Sequence, residues 1–116
     1  MLQLTNINYQ MVLEMAEGEK DFEIELLEAI VNSVIDLRNK YVEGILGQNE
    51  EMIMQARHKI KPTLSLFGLE KLSSVIEEGK IILGENNMIG PETDRHKTEF
   101  IEAVEDLIEE INQIDK

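Results

Sequence analysis

The chain has 116 residues, 11 Lys and Arg against 24 Asp and Glu, and a formal net charge of −13. That length builds one modest core and not two, and 42% hydrophobic with 30% charged residues excludes a disordered chain. The lack of cysteine removes disulfides, thiolate metal sites and cysteine nucleophiles together, and the acidity makes nucleic-acid phosphates and anionic membranes poor partners.

No apolar run approaches the roughly 20 residues that span a bilayer. Met1, Leu2, Gln3 and Leu4 do not form a basic region followed by an apolar one, as a leader would. The expectation is a single cytoplasmic domain over 1–116 whose partner is another protein. Strand-type alternation is missing, prolines are two, and Leu, Ile, Glu and Met dominate, so the chain reads as all-α.

A short first helix is expected from Ile7 to Ala16, capped by Asn6, with Ile7, Met11, Leu13 and Met15 as its apolar side. Too short to stand alone, it should lie across the end of a bundle. The second helix runs from Asp21 to about Leu46, with Asp21 as cap and a stripe of Leu27, Ile30, Val31, Val34, Ile35, Tyr41, Val42 and Ile45. Gly47-Gln48-Asn49 turns it back into the third helix, capped by Asn49, and a turn that short makes an antiparallel hairpin.

The third helix carries the sequence's most unusual stretch. Ile53, Ala56, Ile60, Leu64 and Phe67 repeat at spacings of three and four and mark the core side. His58 is off that stripe and shares the outward face with Met54, Gln55, Lys61, Pro62 and Ser65. Arg57, Lys59 and Lys61 crowd around it, with Lys71 a little further on, which favours an anion at this point of an acidic protein. The ring of Pro62 crowds the carbonyl of His58, four residues back, so a kink or an opened turn is expected there. Counting back from the hairpin turn puts Asp36, Arg38, Asn39 and Lys40 beside the histidine, with Arg38 or Lys40 expected on a docking surface.

The fourth helix is expected from Leu69 to Leu83, ended by Gly84, with Leu69, Leu72, Val75, Ile76 and Ile82 inward. A loop from Glu85 to Asp94 leads to the last helix, capped by Thr93 or Asp94, with Phe100, Ile101, Val104, Leu107, Ile108 and Ile111 as its stripe. His96, between Arg95 and Lys97, is expected at the surface. The expected fold is an up-down four-helix bundle with a short additional N-terminal helix.

A bundle can hold a di-metal site, which needs Glu-x-x-His motifs pointing inward. Position 55, three before His58, is Gln55, and residues such as Glu109 and Glu110 are read as outward, so no metal site is expected. The methionines, Met11, Met15 and Met52 among them, are read as core and rim packing, with Met54 as an apolar contact on the docking face. No Gly-rich phosphate loop, nucleotide fingerprint or Ser/His/Asp arrangement is present, so no catalytic machinery of its own is expected.

The set His58, Lys61, Thr63, Phe67 and Gly68 resembles the signature of the histidine-containing phosphotransfer domain of two-component phosphorelays. That family has a phosphorylatable His on an exposed helix face, Lys three residues on, Gly at four, a small residue at five, and an apolar-Gly pair at nine and ten. The one departure is Pro62 where the family has glycine. The resemblance implies that His58 is the phosphoacceptor and that Lys61 offsets charge on the transferring oxygens. It implies docking through Met54, Gln55, Arg57, Pro62 and Ser65, with Arg38 and Lys40 across the hairpin. It implies receiver domains of a hybrid histidine kinase and of a response regulator as partners, Mg²⁺ on the receiver, and no cofactor on this chain. At Gly68 the residues themselves allow either a turn or a simple bend, and the resemblance implies a turn, hence a hairpin between the histidine helix and the next. The other reading of the same residues is a non-catalytic helical adaptor, a degenerate relative that binds a receiver or another protein without carrying phosphate.

Overall fold

In the computed structural model, which describes residues 5–114, the chain forms five helices: α1 (Tyr9–Ala16), α2 (Lys20–Leu46), α3 (Glu50–Leu66), α4 (Glu70–Asn86) and α5 (Pro91–Asn112). The leader reading of Met1 to Leu4 lies outside the described residues. At 27 residues, α2 is the spine, about 40 Å long at 1.5 Å per residue. It packs against α1, α3 and α5; α4 packs against α5 and meets α3 more thinly, which closes a four-helix bundle. Its extents are 47 × 26 × 17 Å, and α1 is the additional short helix.

The expected stripes form the core. Leu27, Ile30, Val34, Tyr41 and Ile45 of α2 are buried with Ile53, Ala56, Ile60 and Phe67 of the third segment and Leu69, Leu72 and Ile76 of the fourth. Phe100, Val104, Leu107 and Ile111 of α5 complete it. The Asn49 side chain accepts from the Met52 N–H at 3.1 Å and caps α3, as expected. Gly68 turns the chain at φ +59°, and the Leu69 N–H closes on the Leu64 carbonyl at 3.0 Å. That is the left-handed helix stop that favours glycine, and it makes α3 and α4 a hairpin.

Several boundaries differ from the sequence expectations. Asn6 does not cap α1: its backbone and side-chain N–H groups both donate to Glu110, the backbone bond at 3.0 Å. Asn8 holds the cap position without a side-chain bond, and Val12 and Ala16 are the buried residues of α1 while Leu13 is exposed. Glu19, not Asp21, precedes α2. Gly84 does not end α4, which continues to Asn86 and closes at Asn87 in the left-handed region; burial of Leu83 outweighs a glycine penalty of about 1 kcal/mol. The long loop shrinks to a tight turn because Pro91 sits at the first helical position of α5, where its missing N–H costs nothing. Thr93 therefore lies inside the helix, buried, with its hydroxyl donating to the Ile89 carbonyl at 3.3 Å.

The earlier start of α5 also changes His96. It is 1% exposed, in register with Thr93 and Phe100, and not a surface residue. Its Nε2 is 2.7 Å from the Tyr41 hydroxyl, and the Tyr41 ring stacks on Phe100 with centroids 4.2 Å apart. A stacked aromatic pair contributes about 0.5–1.5 kcal/mol beyond its burial. Burial pushes the Tyr41 phenol up to about 12. Gly79 of α4 is what admits this pair: a Cβ there would overlap both His96 Nε2 and the Tyr41 oxygen. Either tautomer leaves His96 Nδ1 buried without a partner, an omission that costs about 1–3 kcal/mol. The reading of Glu110 as outward fails too, since it is 8% exposed and satisfied by Asn6.

Two outcomes follow for stability. Gly79→Ala is expected to destabilise the fold by about 1–3 kcal/mol through overpacking, read as a lower urea midpoint. Burial holds the His96 pKa below its ordinary 6.5, against the opposing charges of Glu99 and Glu78. The unfolded chain therefore takes up this proton first as pH falls. The stability tied to neutral His96 is present above pH 6.5 and lost as pH falls below it. Urea midpoints measured across that range should fall for the wild type and fall less for His96→Gln.

Candidate functional site

His58 is exposed on α3, and the spacing that placed it off the core stripe is the reason. Ile53, Ala56 and Ile60 turn inward, which leaves Met54, Arg57, His58 and Lys61 on an adjoining face. Across the thin seam between α3 and α4, Ile76, Glu77 and Lys80 stand opposite them. Together with Leu64 these side chains line an open cleft of about 250 Å³. Ile76 and Leu64 form its floor, buried and half-buried respectively, while His58 and Lys61 are exposed.

The charge around the histidine is arranged more selectively than the sequence suggested. Lys59 turns to α2 and pairs with Asp36 at 3.1 Å. Lys71 pairs with Asp106 of α5 at 3.1 Å. Neither of these lysines lines the His58 cleft. Arg57 and Lys61 do line it, and neither forms an ion pair with a carboxylate among the described residues. The cation missed from sequence is Lys80 of α4, which lines the same cleft and is held by Glu77 at 2.9 Å. Lys80 lies 22 positions beyond His58, and only the hairpin at Gly68 brings it across.

The Asp36–Lys59 pair has the hairpin register that was expected between α2 and α3. It belongs, however, to a separate groove lined by Asn32, Ser33, Asp36, Leu37, Ala56, Lys59 and Ile60. Of the residues assigned to docking, Met54 and Arg57 share the His58 cleft. Gln55, Pro62 and Ser65 are exposed on α3 outside its lining, and the Gln55 amide donates to Glu51 at 3.4 Å. Arg38 is half-buried and Lys40 exposed on α2, and neither lines the cleft.

Pro62 lies within α3, which runs on to Leu66 as one helix, so the expected opened turn is not formed. The Pro62 ring is exposed, and α3 lacks only the N–H that would have reached the His58 carbonyl.

The Tyr9 hydroxyl donates to Glu23 at 2.6 Å and, with Lys20, holds that carboxyl below its ordinary range. This bond ties α1 to α2 and is remote in sequence from the histidine. Among the described residues no group of three or more His, Asp or Glu side chains is placed to hold a metal ion, and no helix is long and apolar enough to cross a membrane.

No protein-family model matches the chain, and no solved structure matches it. Two curated proteins do, both the signal transduction histidine-protein kinase BarA, from Escherichia coli strain K12 and from Escherichia coli O157:H7. Each is 22% identical over 71 residues, a match that covers 61% of this chain and 8% of the kinase. The chain thus spans a small fraction of the length of the relatives it matches.

The two histidines occupy opposite environments, which one reagent can read. Diethyl pyrocarbonate at neutral pH is expected to modify His58 rapidly and His96 only at the rate of unfolding. Peptide mass mapping over time should separate the two rates by about tenfold or more, since burial of His96 makes its access depend on opening.

Proposed function

We propose that this protein is a histidine phosphotransfer protein, with His58 as the carrier between aspartates of receiver domains. The observation that supports it is the exposed imidazole in a cleft whose cations are Arg57, Lys61 and Lys80, within a chain of net charge −13. The resemblance from His58 to Gly68 and the likeness to a signal transduction histidine-protein kinase point the same way.

In this reading an unprotonated ring nitrogen of His58 attacks the phosphorus of a receiver's aspartyl phosphate. The P–N bond forms as the P–O bond to the aspartate breaks, and the carboxylate leaves with the electron pair. The second ring nitrogen keeps its proton through the attack and releases it to solvent afterwards. Transfer onward is the reverse reaction with a second receiver. Phosphoryl transfer depends mainly on positioning and charge stabilisation. The receiver would supply Mg²⁺ and most of that charge, while Lys61 would offset the remainder from this side. Exposure of His58 suits a site that two different active centres must reach in turn.

Met54, 46% exposed, offers the docking face an apolar contact one helical turn from the histidine. Gln55, Pro62 and Ser65 extend that face along α3, and Arg38 and Lys40 extend it onto α2.

The test is transfer from a phosphorylated receiver domain to the purified protein, read as acid-labile, base-stable phosphate. Wild type should take the label and His58→Gln should not, while both remain folded. Lys61→Ala should slow transfer roughly tenfold, a loss of about 1.4 kcal/mol in the barrier. Folded wild type that takes no label from several receivers but still binds one is the binding-only adaptor. Pro62→Gly then shows whether the proline is what silences the histidine.

A further inference from the structure

We propose that Lys80 is a second phosphoryl-binding cation of the His58 site, held by Glu77 while the histidine is free and turned to the phosphoryl group once it is loaded. This deepens the reading of His58 as carrier and rests on it. The cleft contains three cations and one carboxylate, and that carboxylate, Glu77, already holds Lys80 at 2.9 Å. Both partners are substantially exposed, at 48% for the Lys80 side chain and 68% for Glu77. An exposed pair one turn apart on a helix is weak and readily exchanged. A phosphoryl group brings up to two negative charges and three acceptor oxygens, and so outcompetes a single carboxylate for the ammonium.

The placement makes Lys80 complementary to Lys61. Lys61 approaches from the histidine's own helix and Lys80 from the facing one, so the two cations would clasp a phosphoryl group from the α3 and α4 sides. Gly79, next to Lys80, is locked against the Tyr41–His96 pair. The backbone that carries Lys80 is therefore fixed by the core, while its exposed side chain can exchange Glu77 for another acceptor.

The chemical consequence concerns the lifetime of the loaded state. In hydrolysis water attacks phosphorus and the P–N electron pair returns to the ring nitrogen. The ring leaves as neutral imidazole only when its second nitrogen carries a proton. A cation beside the loaded ring opposes that protonation by like-charge repulsion, so Lys80 should slow spontaneous loss.

The experiment loads the full chain with potassium phosphoramidate, without a receiver. A ring nitrogen attacks phosphorus, the reagent's P–N bond breaks, ammonia leaves with the electron pair, and the second ring nitrogen then releases its proton. Intact-mass spectrometry follows one phosphoryl group per chain, absent in His58→Gln, and its decay after the reagent is removed. The loaded half-life of Lys80→Met should be shortened about threefold or more near neutral pH, Lys80→Arg should restore it, and Glu77→Gln should not shorten it. Equal half-lives for wild type and Lys80→Met, or no loading of His58, overturn the proposal. Loading with the Lys80 effect but no transfer from any receiver overturns the relay while leaving the anion site intact.

Discussion

The contact between Tyr41 and His96, seated on the bare backbone of Gly79, sets how α2, α4 and α5 meet. Three helices converge there with no side chain on the third, so the polar pair fills the place a Cβ would take. A buried hydrogen bond of this kind is worth little net, but only one packing satisfies it. The same contact carries a buried nitrogen without a partner, so the arrangement is specific at some cost in stability.

The seam between α3 and α4 is thin by comparison. α3 is attached chiefly through its hairpin with α2, α4 chiefly through its hairpin with α5. The cleft lies where two well-packed helix pairs face each other with few contacts of their own, and His58 stands on its edge. Arg57, Lys61 and Lys80 line this seam, while Lys59 turns to α2 and Lys71 to α5. Against a net charge of −13, the three cations that line the cleft reverse the sign of the charge locally. Pro62 contributes differently, by removing a helix hydrogen bond beside the histidine without breaking the helix.

Much of the fold was legible because helical periodicity is a local signal. The stripes of α2, α3 and α5 and the Asn49 cap each depend on residues within one or two turns of each other, whereas the local pattern left Gly68 as either a turn or a bend. The stretch from Glu85 to Asp94 was misleading because its Gly90-Pro91 pair can mark a loop or open a helix. Reading it as a loop moved the start of α5, and with it Thr93 and His96 left the stripe. The spacing of Thr93, His96 and Phe100 held the signal, since three and four residues separate them, but the flanking Arg95 and Lys97 suggested solvent. Asn6 and Glu110 found each other across the length of the chain, which no local pattern encodes.

The sequence by itself determined the helical class, the α2–α3 hairpin and the outward position of His58 with Lys61, because an amphipathic helix has only one face to bury. Tertiary structure alone decided the rest of the site. Which cations stay at the histidine depends on which carboxylates the neighbouring helices bring within reach. Lys80 joins His58 only because the α3–α4 hairpin closes in one register. His96 is buried only because Gly79, on another helix, leaves it room. These are properties of distance between segments remote in sequence, and periodicity along one helix holds no information about them.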